Sequence, residues 1–529
     1  MNVTDEKDRS PHPVQVSLVG AGPGDAGLIT VAGLDRLRRA DVVVYDALAN
    51  PALLDEAPAD ALRIDAGKRA RQHKLTQDAI HELLREHAAA GRYVVRLKGG
   101  DPYLFGRGAE ELAYLAGHGI VCEVIPGITA GIAAPMAAGI PVTHRGHASS
   151  VTFVTGHEDP TKPDTALDYA ALARLIAVGG TVCFYMGLGR LPMIAHALVD
   201  AGLDAAAPAA AVQWGTTPRQ RSVRAPLHAL ATAIEREGIG APAIIVVGAV
   251  AGLDEPGLDY FTARPLFGKT VLVTRTRQQA SKLREQLATL GADVIEAPTI
   301  DVTFLPTAGE ATADLDAELV LGDYHWLILT SANAVTWLAR WLDSQGQDAR
   351  TLAGPGIAVV GEATAEALRQ QLGVRADFIP HTATGEALAN EMIERWGMLN
   401  LRCLLVRGDL ASPKLPALLR AAGAEVVDCT VYHTTRTPAL PDTALSALRE
   451  RRVDWITFTS ASTARNLVQL LGDERDLLRH ARLASIGPIT SDALRELDLP
   501  VTVEAAHANI PGLVDAIVSA SSVPGGSAT

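Results

Sequence analysis

Cysteine and aromatic residues are scarce in this chain. Four of its 529 residues are cysteines, and 4% are aromatic. The cysteines lie far apart in the sequence and form no Cys-x-x-Cys pair; they are Cys122, Cys183, Cys403 and Cys429. This distribution argues against a disulfide framework and against a zinc site, so we expect single buried thiols and no bound metal.

Long hydrophobic runs are absent as well. The most apolar segment, 242–253, has the length of one strand, whereas a membrane-spanning helix needs about 20 apolar residues. The segment 1–13 is polar and lacks the apolar core of a signal peptide. We therefore expect a cytoplasmic protein without a membrane partner, and disordered tails at 1–13 and 519–529, where small and polar residues dominate.

Positive charge is in deficit. Lysine and arginine number 47, aspartate and glutamate number 60, and the formal net charge is −13. Such a chain is a poor match for the phosphate backbone of nucleic acids, so we expect no nucleic-acid partner. Net charge is a sum over the whole surface, however, and it does not decide against a small polyanion bound at a locally basic site.

Both halves of the sequence alternate short runs of β-forming residues with helical stretches rich in Ala, Leu and Arg. This alternation is typical of the α/β class. The segment 254–265 contains two prolines and has no helical periodicity, which predicts a linker. We therefore expect one domain at 14–253 and a second at 266–518.

The second half contains an internal repeat. Three pairs of segments correspond: GADVIEAP (291–298) with GAEVVDCT (423–430), WLILTSANAV (326–335) with WITFTSASTA (455–464), and LVTR (272–275) with LVRG (405–408). The last pair aligns Val273 with Val406. Landmarks that recur in order at this long spacing indicate two similar α/β lobes. Two such lobes enclose a cleft, which is the usual place for a ligand.

The first half begins with a glycine-rich turn between a strand and a helix. Gly22–Gly27 fits G-x-G-x-x-G, and Asp46 follows the next strand, as in a dinucleotide-binding unit. Pro23 removes a backbone donor, however, and the Asp25 carboxylate would repel a pyrophosphate. The turn therefore suits a ligand without phosphates better, and a nicotinamide-dependent oxidoreductase is the weaker alternative.

Further motifs follow this turn in a characteristic order. They are GAGPGD (20–25), YDAL (45–48), AGKR (66–69), RLKGGDPYLFGRG (96–108), IPGITA (125–130), GIPVTHR (139–145), FYMGLG (184–189) and QWGTTP (213–218). Over residues 14–253 this order resembles uroporphyrinogen-III C-methyltransferase. The resemblance implies a two-lobed tetrapyrrole-methyltransferase fold and a homodimer formed through this half. It also implies two successive methylations of uroporphyrinogen III by S-adenosylmethionine, which give precorrin-2.

The same resemblance assigns roles to individual residues. Asp46 would accept a proton and Lys68 would donate one, because a proton must leave when a pyrrole carbon attacks the methyl group. Arg107 and Arg145 are candidates for binding substrate carboxylates. The residues expected around the cofactor are Pro23, Gly99, Gly100, Asp101, Leu104, Thr129, Ala130, Met186, Gly215 and Ala243. Plainer explanations stay open, namely a capping carboxylate for Asp46 and surface positions for the cations.

The second half has no Ser-His-Asp set, metal cluster or phosphate loop. Instead, Ser331 and Ser460 each follow a strand and precede a helix, and Thr364 and Thr490 recur in Gly-x-x-Thr segments. Hydroxyls at such turns are first of all helix N-caps. The same turns aim backbone N–H groups outward, where they would bind carboxylates.

These segments resemble uroporphyrinogen-III synthase over residues 266–519. The matching motifs are TVLVTR (270–275), LTSANAV (329–335), VVGEATA (359–365), LLVRGD (404–409), VYHT (431–434), FTSAST (458–463) and SIGPIT (485–490). The resemblance implies interleaved lobes and cofactor-free closure of hydroxymethylbilane, with Tyr432 as the acid. Ser331, Thr364, Ser460 and Thr490 would hold carboxylates. A non-catalytic tetrapyrrole-sensing module is the alternative for this half.

Overall fold

The computed structural model describes residues 14–67, 75–156, 167–275, 277–307 and 324–522. Within these residues the strands form four five-stranded sheets. The chain divides into two compact units, which we describe separately. The N-terminal unit extends to Thr270 and includes Gln286–Asp293, and the C-terminal unit contains Val271–Glu285 and Val294–Ala520.

The first lobe of the N-terminal unit is built on an all-parallel sheet in the order β3-β2-β4-β1-β5. Its strands are β1 (Val16–Gly20), β2 (Val42–Tyr45), β3 (Leu62–Asp65), β4 (Val94–Lys98) and β5 (Cys122–Ile125). Its helices are α1 (Val31–Leu37), α2 (Gln77–Ala89) and α3 (Gly108–Gly117). Strands β1 and β4 are buried throughout, as expected for a sheet covered on both faces. All five carboxyl ends meet at one edge, where α/β proteins bind ligands.

The second lobe has a mixed sheet in the order β6-β7-β10-β8-β9. Its strands are β6 (Ser150–Thr155), β7 (Gly180–Tyr185), β8 (Pro208–Gln213), β9 (Arg221–Pro226) and β10 (Ala243–Val247). Only β6 and β7 are parallel in this sheet. The chain here also contains α4 (Ala130–Ala137), α5 (Tyr169–Ala177), α6 (Leu191–Asp200) and α7 (Leu227–Arg236).

The C-terminal unit contains two sheets that share the chain in an interleaved way. One has the order β12-β11-β18-β19-β20, with strands β11 (Thr270–Val273), β12 (Asp293–Glu296), β18 (Trp455–Phe458), β19 (Arg482–Ser485) and β20 (Val503–Glu504). The other has the order β13-β17-β16-β14-β15, with strands β13 (Ile300–Phe304), β14 (Trp326–Leu329), β15 (Gly356–Val359), β16 (Arg402–Gly408) and β17 (Glu425–Arg436). We call the first the split lobe and the second the middle lobe.

Helices follow the strands of both lobes. They are α8 (Arg277–Thr289), α9 (Ala332–Ser344), α10 (Glu362–Leu372), α11 (Gly385–Trp396), α12 (Lys414–Ala421), α13 (Asp442–Arg449), α14 (Ala461–Leu471), α15 (Pro488–Glu496) and α16 (Ile510–Ser522). Helix α14 packs its Ala464 and Leu467 against the strand residue Ile456 in the core of the split lobe. Helix α9 packs Trp337 and Leu338 into the core of the middle lobe.

Strand register corrects the alignment of the two lobes by one residue. Val271 pairs with Trp455 in the split lobe, and Cys403 pairs with the equivalent Trp326 in the middle lobe. Val271 is therefore equivalent to Cys403. Arg275 and Arg407, each four residues further along, are equivalent, whereas the match of Val273 with Val406 was wrong by one position.

The predicted boundaries differ in detail from the structure. Phe261, inside the expected linker, is only 5% exposed, and Leu258 packs against a core cluster of the N-terminal unit. Helix α16 continues to Ser522, so the expectation of disorder from 519 onward is wrong for its first four residues, which extend the final helical turns. Residues 1–13 and 523–529 lie outside the described part of the chain. Each helix among the described residues is too short or too polar to cross a bilayer.

Candidate active sites

Glycine loops at the carboxyl ends of β1, β4 and β5 contact one another through their backbones. Gly22 and Gly100 exchange two backbone hydrogen bonds, of 2.7 and 3.3 Å. A Cβ atom on Gly127 would overlap the Gly100 carbonyl oxygen, and one on Gly20 would overlap Gly127. Side chains are therefore excluded at Gly20 and Gly127, and the three loops pack backbone against backbone in an arrangement that we call the glycine cradle.

Asp46 lies directly after β2 and joins two of the loops at this edge. Its Oδ1 accepts hydrogen bonds from the backbone N–H groups of Leu48 (3.0 Å) and Ala49 (3.1 Å). Its Oδ2 accepts one from Gly99 N (3.0 Å). The carboxylate thus caps the following turn, as the plainer explanation predicted, and is also held against the loop after β4. A carboxylate accepts about four hydrogen bonds, so acceptor capacity is left for a ligand.

Asp101 has a similar set of partners. Its Oδ1 accepts hydrogen bonds from the backbone N–H groups of Tyr103 (2.8 Å) and Leu104 (3.2 Å), and its Oδ2 accepts one from Gly127 N (3.0 Å). These bonds connect the loop after β4 to the loop after β5. Asp101 therefore shapes the cradle, and Leu104 lies in the turn that this carboxylate caps.

The second lobe contributes a loop that meets the first lobe at Gly24. A Cβ atom on Gly24 would lie 2.6 Å from Thr217 Cγ2 and 3.1 Å from the Gly215 carbonyl oxygen. The Asp25 N–H donates to Thr216 Oγ1 at 3.2 Å. The loop that carries Pro23 is therefore packed against the loop that carries Gly215.

Gly215 itself is tightly enclosed, because a Cβ atom there would overlap Ala134 of α4. Ala243 begins β10 directly after Pro242, whose carbonyl accepts a hydrogen bond from Trp214 N at 3.2 Å. The structure thus brings Ala243 into the neighbourhood of Gly215.

Tyr185 joins the end of β7 to the start of α4 and was missed by the sequence reasoning. Its hydroxyl lies 2.6 Å from Thr129 Oγ1 and accepts a 2.6 Å hydrogen bond from Gly131 N. Burial raises the pKa of Tyr185. This contact places Thr129 and Ala130, at the start of α4, beside the end of β7, where Met186 follows with a half-exposed side chain and a φ of 54°. Tyr185 belongs to the FYMGLG motif, from which only Met186 was predicted as a site residue.

The predicted cations are less well gathered. Lys68 lies outside the described residues. Arg107 precedes α3, is more than half exposed and forms a 2.6 Å ion pair with Glu110. Arg145 lies in the turn before β6, whereas Met186 follows the carboxyl end of the parallel neighbour β7. Arg145 therefore lies near the edge of the sheet opposite Met186. The two edges are separated by the length of a six-residue strand, about 20 Å.

A buried ionic cluster supports the loop after β4. Glu111 is fully buried, accepts hydrogen bonds from Lys98 Nζ (2.8 Å) and Gln77 Nε2 (3.1 Å), and lies 3.4 Å from Arg96 Nε. Burial and the neighbouring Arg96 lower the pKa of Lys98. Burial alone would raise the pKa of Glu111, but Arg96 and Lys98 hold it below its usual range. The cluster fixes the strand end that leads into Gly99.

The middle lobe contains a cavity of about 330 Å³. It lies where β14 and β16 end, and its walls include Thr330, Ser331, Arg407, Gly408, Tyr432 and Thr434. Ser331 is the N-cap of α9, and its Oγ accepts a hydrogen bond from Ala334 N at 3.1 Å. The same Oγ lies 2.9 Å from the Tyr432 hydroxyl. Two residues predicted from the sequence are thus in direct contact at a cavity.

Arg407 was not predicted, although the LLVRGD motif contains it. Its guanidinium forms two 2.6 Å hydrogen bonds with the Asp428 carboxylate. It also donates to the carbonyl oxygens of Ala411 (3.1 Å) and Ser412 (2.9 Å). Arg407 therefore holds the loop that forms one wall of the cavity.

The N-cap interpretation is correct for the two serines and wrong for the two threonines. Ser460 caps α14, where its Oγ accepts a hydrogen bond from Thr463 N at 3.3 Å. Glycine occupies the cap before α10 and α15, and Thr364 and Thr490 lie inside the first helical turns, where they are buried. Because both threonines are buried, a ligand could contact their hydroxyl groups only by reaching into the first turn of the helix.

These features define an α/β chain with two separate candidate active sites, a glycine cradle in the N-terminal unit and a tyrosine-bearing cavity in the C-terminal unit. The model of the tetrapyrrole (corrin/porphyrin) methylases matches residues 15–231, and that of uroporphyrinogen-III synthase HemD matches residues 281–515. A porphyrin biosynthesis protein HemD of Ruminiclostridium josui is 36% identical over 504 residues, which cover 95% of this chain and 97% of that protein.

Two further proteins resemble the N-terminal half. An S-adenosyl-L-methionine-dependent uroporphyrinogen III methyltransferase of Methanosarcina barkeri is 46% identical over 241 residues, or 46% of this chain and 93% of that protein. A uroporphyrin-III C-methyl transferase of Thermus thermophilus, solved with S-adenosyl homocysteine, is 38% identical with a TM-score of 0.38, and the match covers 45% of this chain and 99% of that one.

The chain belongs to the tetrapyrrole methylases over its N-terminal half and to the uroporphyrinogen-III synthases over its C-terminal half. The predicted fusion of these two enzymes of tetrapyrrole biosynthesis is therefore confirmed, as is S-adenosylmethionine as the cofactor class of the N-terminal half. The predicted α/β fold class is confirmed by the four sheets and their covering helices.

Proposed function

We propose that this chain closes hydroxymethylbilane to uroporphyrinogen III in its C-terminal unit and methylates that product twice in its N-terminal unit, giving precorrin-2. The observation that carries the proposal is the presence of both families in one chain. One family is named for making uroporphyrinogen III, and members of the other are named for methylating it. The fusion raises the local concentration of the intermediate near the second site.

The N-terminal cradle suits S-adenosylmethionine, which supplies a methyl group on a positively charged sulfur. Side chains are excluded at Gly20 and Gly127, so a ligand can approach the backbone of these loops closely. A ligand without phosphates avoids the repulsion from the Asp25 carboxylate in the turn. We assign the cofactor to the residues Pro23, Gly99, Gly100, Asp101, Leu104, Thr129, Ala130, Met186, Gly215 and Ala243.

Asp46 is the proposed proton acceptor in this unit. Three backbone hydrogen bonds set the orientation of its carboxylate, so accepting a proton needs little reorganisation of the side chain. Lys68 is proposed as a proton donor and Arg107 as a carboxylate ligand, which would exchange its pair with Glu110 for the substrate. The position of Arg145 at the other edge of its sheet does not support a role for it in the same cradle.

Tyr432 is the proposed acid for ring closure. Loss of the substrate hydroxyl group as water needs a proton donor, and a neutral phenol supplies one. The contact with Ser331 holds the Tyr432 hydroxyl at the cavity wall. A cavity of about 330 Å³ accommodates one part of a tetrapyrrole. The substrate carboxylates outside this cavity need other partners, and we propose Thr364, Ser460 and Thr490 for that role.

The full-length protein should be incubated anaerobically with hydroxymethylbilane, with and without S-adenosylmethionine, and its products separated. We expect uroporphyrinogen III without the cofactor and a twice-methylated product with it. Formation of the spontaneous isomer I alone, with methylation of supplied uroporphyrinogen III intact, would favour the sensing alternative for the C-terminal unit. Failure to methylate supplied uroporphyrinogen III would remove the proposed N-terminal activity.

We also propose that the chain forms a homodimer through its N-terminal unit. Ile128, Ile132 and Met136 recur every four residues along α4 and its leading turn, and each is more than a third exposed. Such a spacing places them on one face of the helix, and contiguous exposed apolar surface marks interaction sites. Sedimentation of the wild-type protein should give the dimer mass, and the Ile132→Glu variant should shift to the monomer. A monomeric wild-type protein would refute the proposal.

A further inference from the structure

Arg275 and Arg407 occupy equivalent positions in the two lobes of the C-terminal unit but have very different surroundings. Arg407 forms four hydrogen bonds, two of them with the Asp428 carboxylate. Arg275 is partly buried, and it has no hydrogen bond or ion pair within the described part of the chain. One arginine is thus a paired structural group, and its counterpart is an unpaired cation.

The carboxylate equivalent to Asp428 does not compensate Arg275. The aligned segments 291–298 and 423–430 place Glu296 at the position of Asp428. Glu296 Oε1 lies 3.6 Å from Arg284 Nε and is engaged there. Burial lowers the pKa of the Arg275 guanidinium, and no charge on a described residue offsets this shift. Because a partly buried charge without a partner is costly, such a group is retained most readily where a ligand pairs with it.

The location of Arg275 is suited to a bound anion. It follows the carboxyl end of β11, and continuing the register of β11 with β18 brings it level with Thr459, next to Ser460. Ser460 is the N-cap of α14, a helix of 11 residues. The N-terminus of a helix carries a partial positive charge, so it and the guanidinium favour the same kind of ligand.

We propose that Arg275 binds a carboxylate of the tetrapyrrole ligand in the split lobe. This inference rests on the function proposed for the C-terminal unit, whose substrate and product are polycarboxylates. The planar guanidinium matches a carboxylate with two parallel hydrogen bonds, whereas a lysine would supply only a point charge. Arg275 is thus a binding residue, separate from the chemistry at Tyr432.

The test compares Arg275→Gln, Arg275→Lys and a control, Arg350→Gln, in the full-length protein. Arg350 lies on the surface of the middle lobe and pairs only with Asp348 among the described residues. For Arg275→Gln we expect the KM for hydroxymethylbilane to rise about tenfold or more with kcat nearly unchanged, since a charged hydrogen bond is lost. Arg275→Lys should recover part of this loss, and Arg350→Gln should behave as wild type.

A second measurement separates failure of this inference from failure of the proposed function. Uroporphyrin III, a stable polycarboxylate, should bind the wild-type protein and bind Arg275→Gln about tenfold more weakly in a fluorescence titration. A wild-type protein that closes no hydroxymethylbilane would refute the proposed function, while the titration would still test Arg275. Unchanged KM and unchanged binding in Arg275→Gln would overturn the inference. So would a wild-type KM in Arg275→Lys together with an unfolded Arg275→Gln, since that pattern assigns Arg275 a structural role.

Discussion

The two lobes of the C-terminal unit share the order of four equivalent strands but differ in the polar groups at their carboxyl edges. In the middle lobe, Ser331 contacts the Tyr432 hydroxyl and Arg407 is fully paired. In the split lobe, Ser460 contacts Ser462, and Arg275 is unpaired among the described residues. Duplication has preserved the scaffold and the capping serines while the reactive and charged groups diverged.

This difference suggests a division of labour. The split-lobe segments 270–299 and 437–520 contain no tyrosine, so only the middle lobe offers a phenol as an acid. The split lobe offers an available guanidinium instead. The middle lobe would therefore carry the chemistry, and the split lobe would hold the ligand.

The largest expected effect tests whether the two units act independently. Asp46→Asn removes the proposed proton acceptor and should slow methyl transfer by about 100-fold or more. Ring closure should be unchanged. The matched change is Asp101→Asn, because Asp101 also accepts three backbone hydrogen bonds in the same cradle. It should mainly raise the KM for S-adenosylmethionine. Equal losses of kcat in both variants would reduce Asp46 to a capping residue.

Tyr432→Phe removes the proposed acid from the middle lobe while keeping the ring that packs against Gly408. We expect kcat for ring closure to fall by about 100-fold, the lower range for general acid catalysis. Methylation of supplied uroporphyrinogen III by the same variant is the internal control. A closure rate equal to that of the wild type would return Tyr432 to a packing role and remove the chemical contrast between the lobes.

Arg407→Gln tests the contrast between the paired arginine of the middle lobe and the unpaired Arg275 of the split lobe. It leaves Asp428 and two backbone carbonyl groups without their partner, and we expect a loss of about 3 kcal/mol in the free energy of unfolding. Arg275→Gln removes a partly buried charge that has no partner among the described residues, so it should not lower the free energy of unfolding. Urea unfolding followed by tryptophan fluorescence suits the measurement, because most of the six tryptophans lie in the C-terminal unit. Similar losses in both variants would contradict the assignment of Arg275 as unpaired.

Much of the N-terminal site could be predicted from sequence because its glycines are dictated by backbone contact. A side chain at Gly20 or Gly127 would overlap a neighbouring loop. The close contact between the loops therefore explains both the glycine-rich motifs in the sequence and the shape of the site. Tyr185 was missed because a tyrosine at the end of an apolar strand has the pattern of a core residue. The position of Arg145 depends on the edge of the sheet at which its turn lies. The motif alone does not indicate that edge.

In the C-terminal unit the sequence revealed the repeat but misplaced its register. The match of LVTR with LVRG relied on identical letters, and these letters do not follow the register in which β11 pairs with β18 and β16 pairs with β14. Strand pairing was needed to align Arg275 with Arg407. The threonines were misassigned as caps because a glycine cap leaves no side-chain signal in the sequence.

The smallest expected effect comes from the capping serines and isolates what the tyrosine adds. Ser331→Ala and Ser460→Ala each remove one N-cap hydrogen bond, so both should destabilise the protein by about 1 kcal/mol. Only Ser331 also contacts Tyr432. Ser331→Ala should therefore lower kcat for ring closure by about fivefold, as expected for one neutral hydrogen bond, while Ser460→Ala keeps the wild-type kcat. If both variants lose kcat equally, the contact between Ser331 and Tyr432 does not orient the acid, because the loss then follows the cap alone.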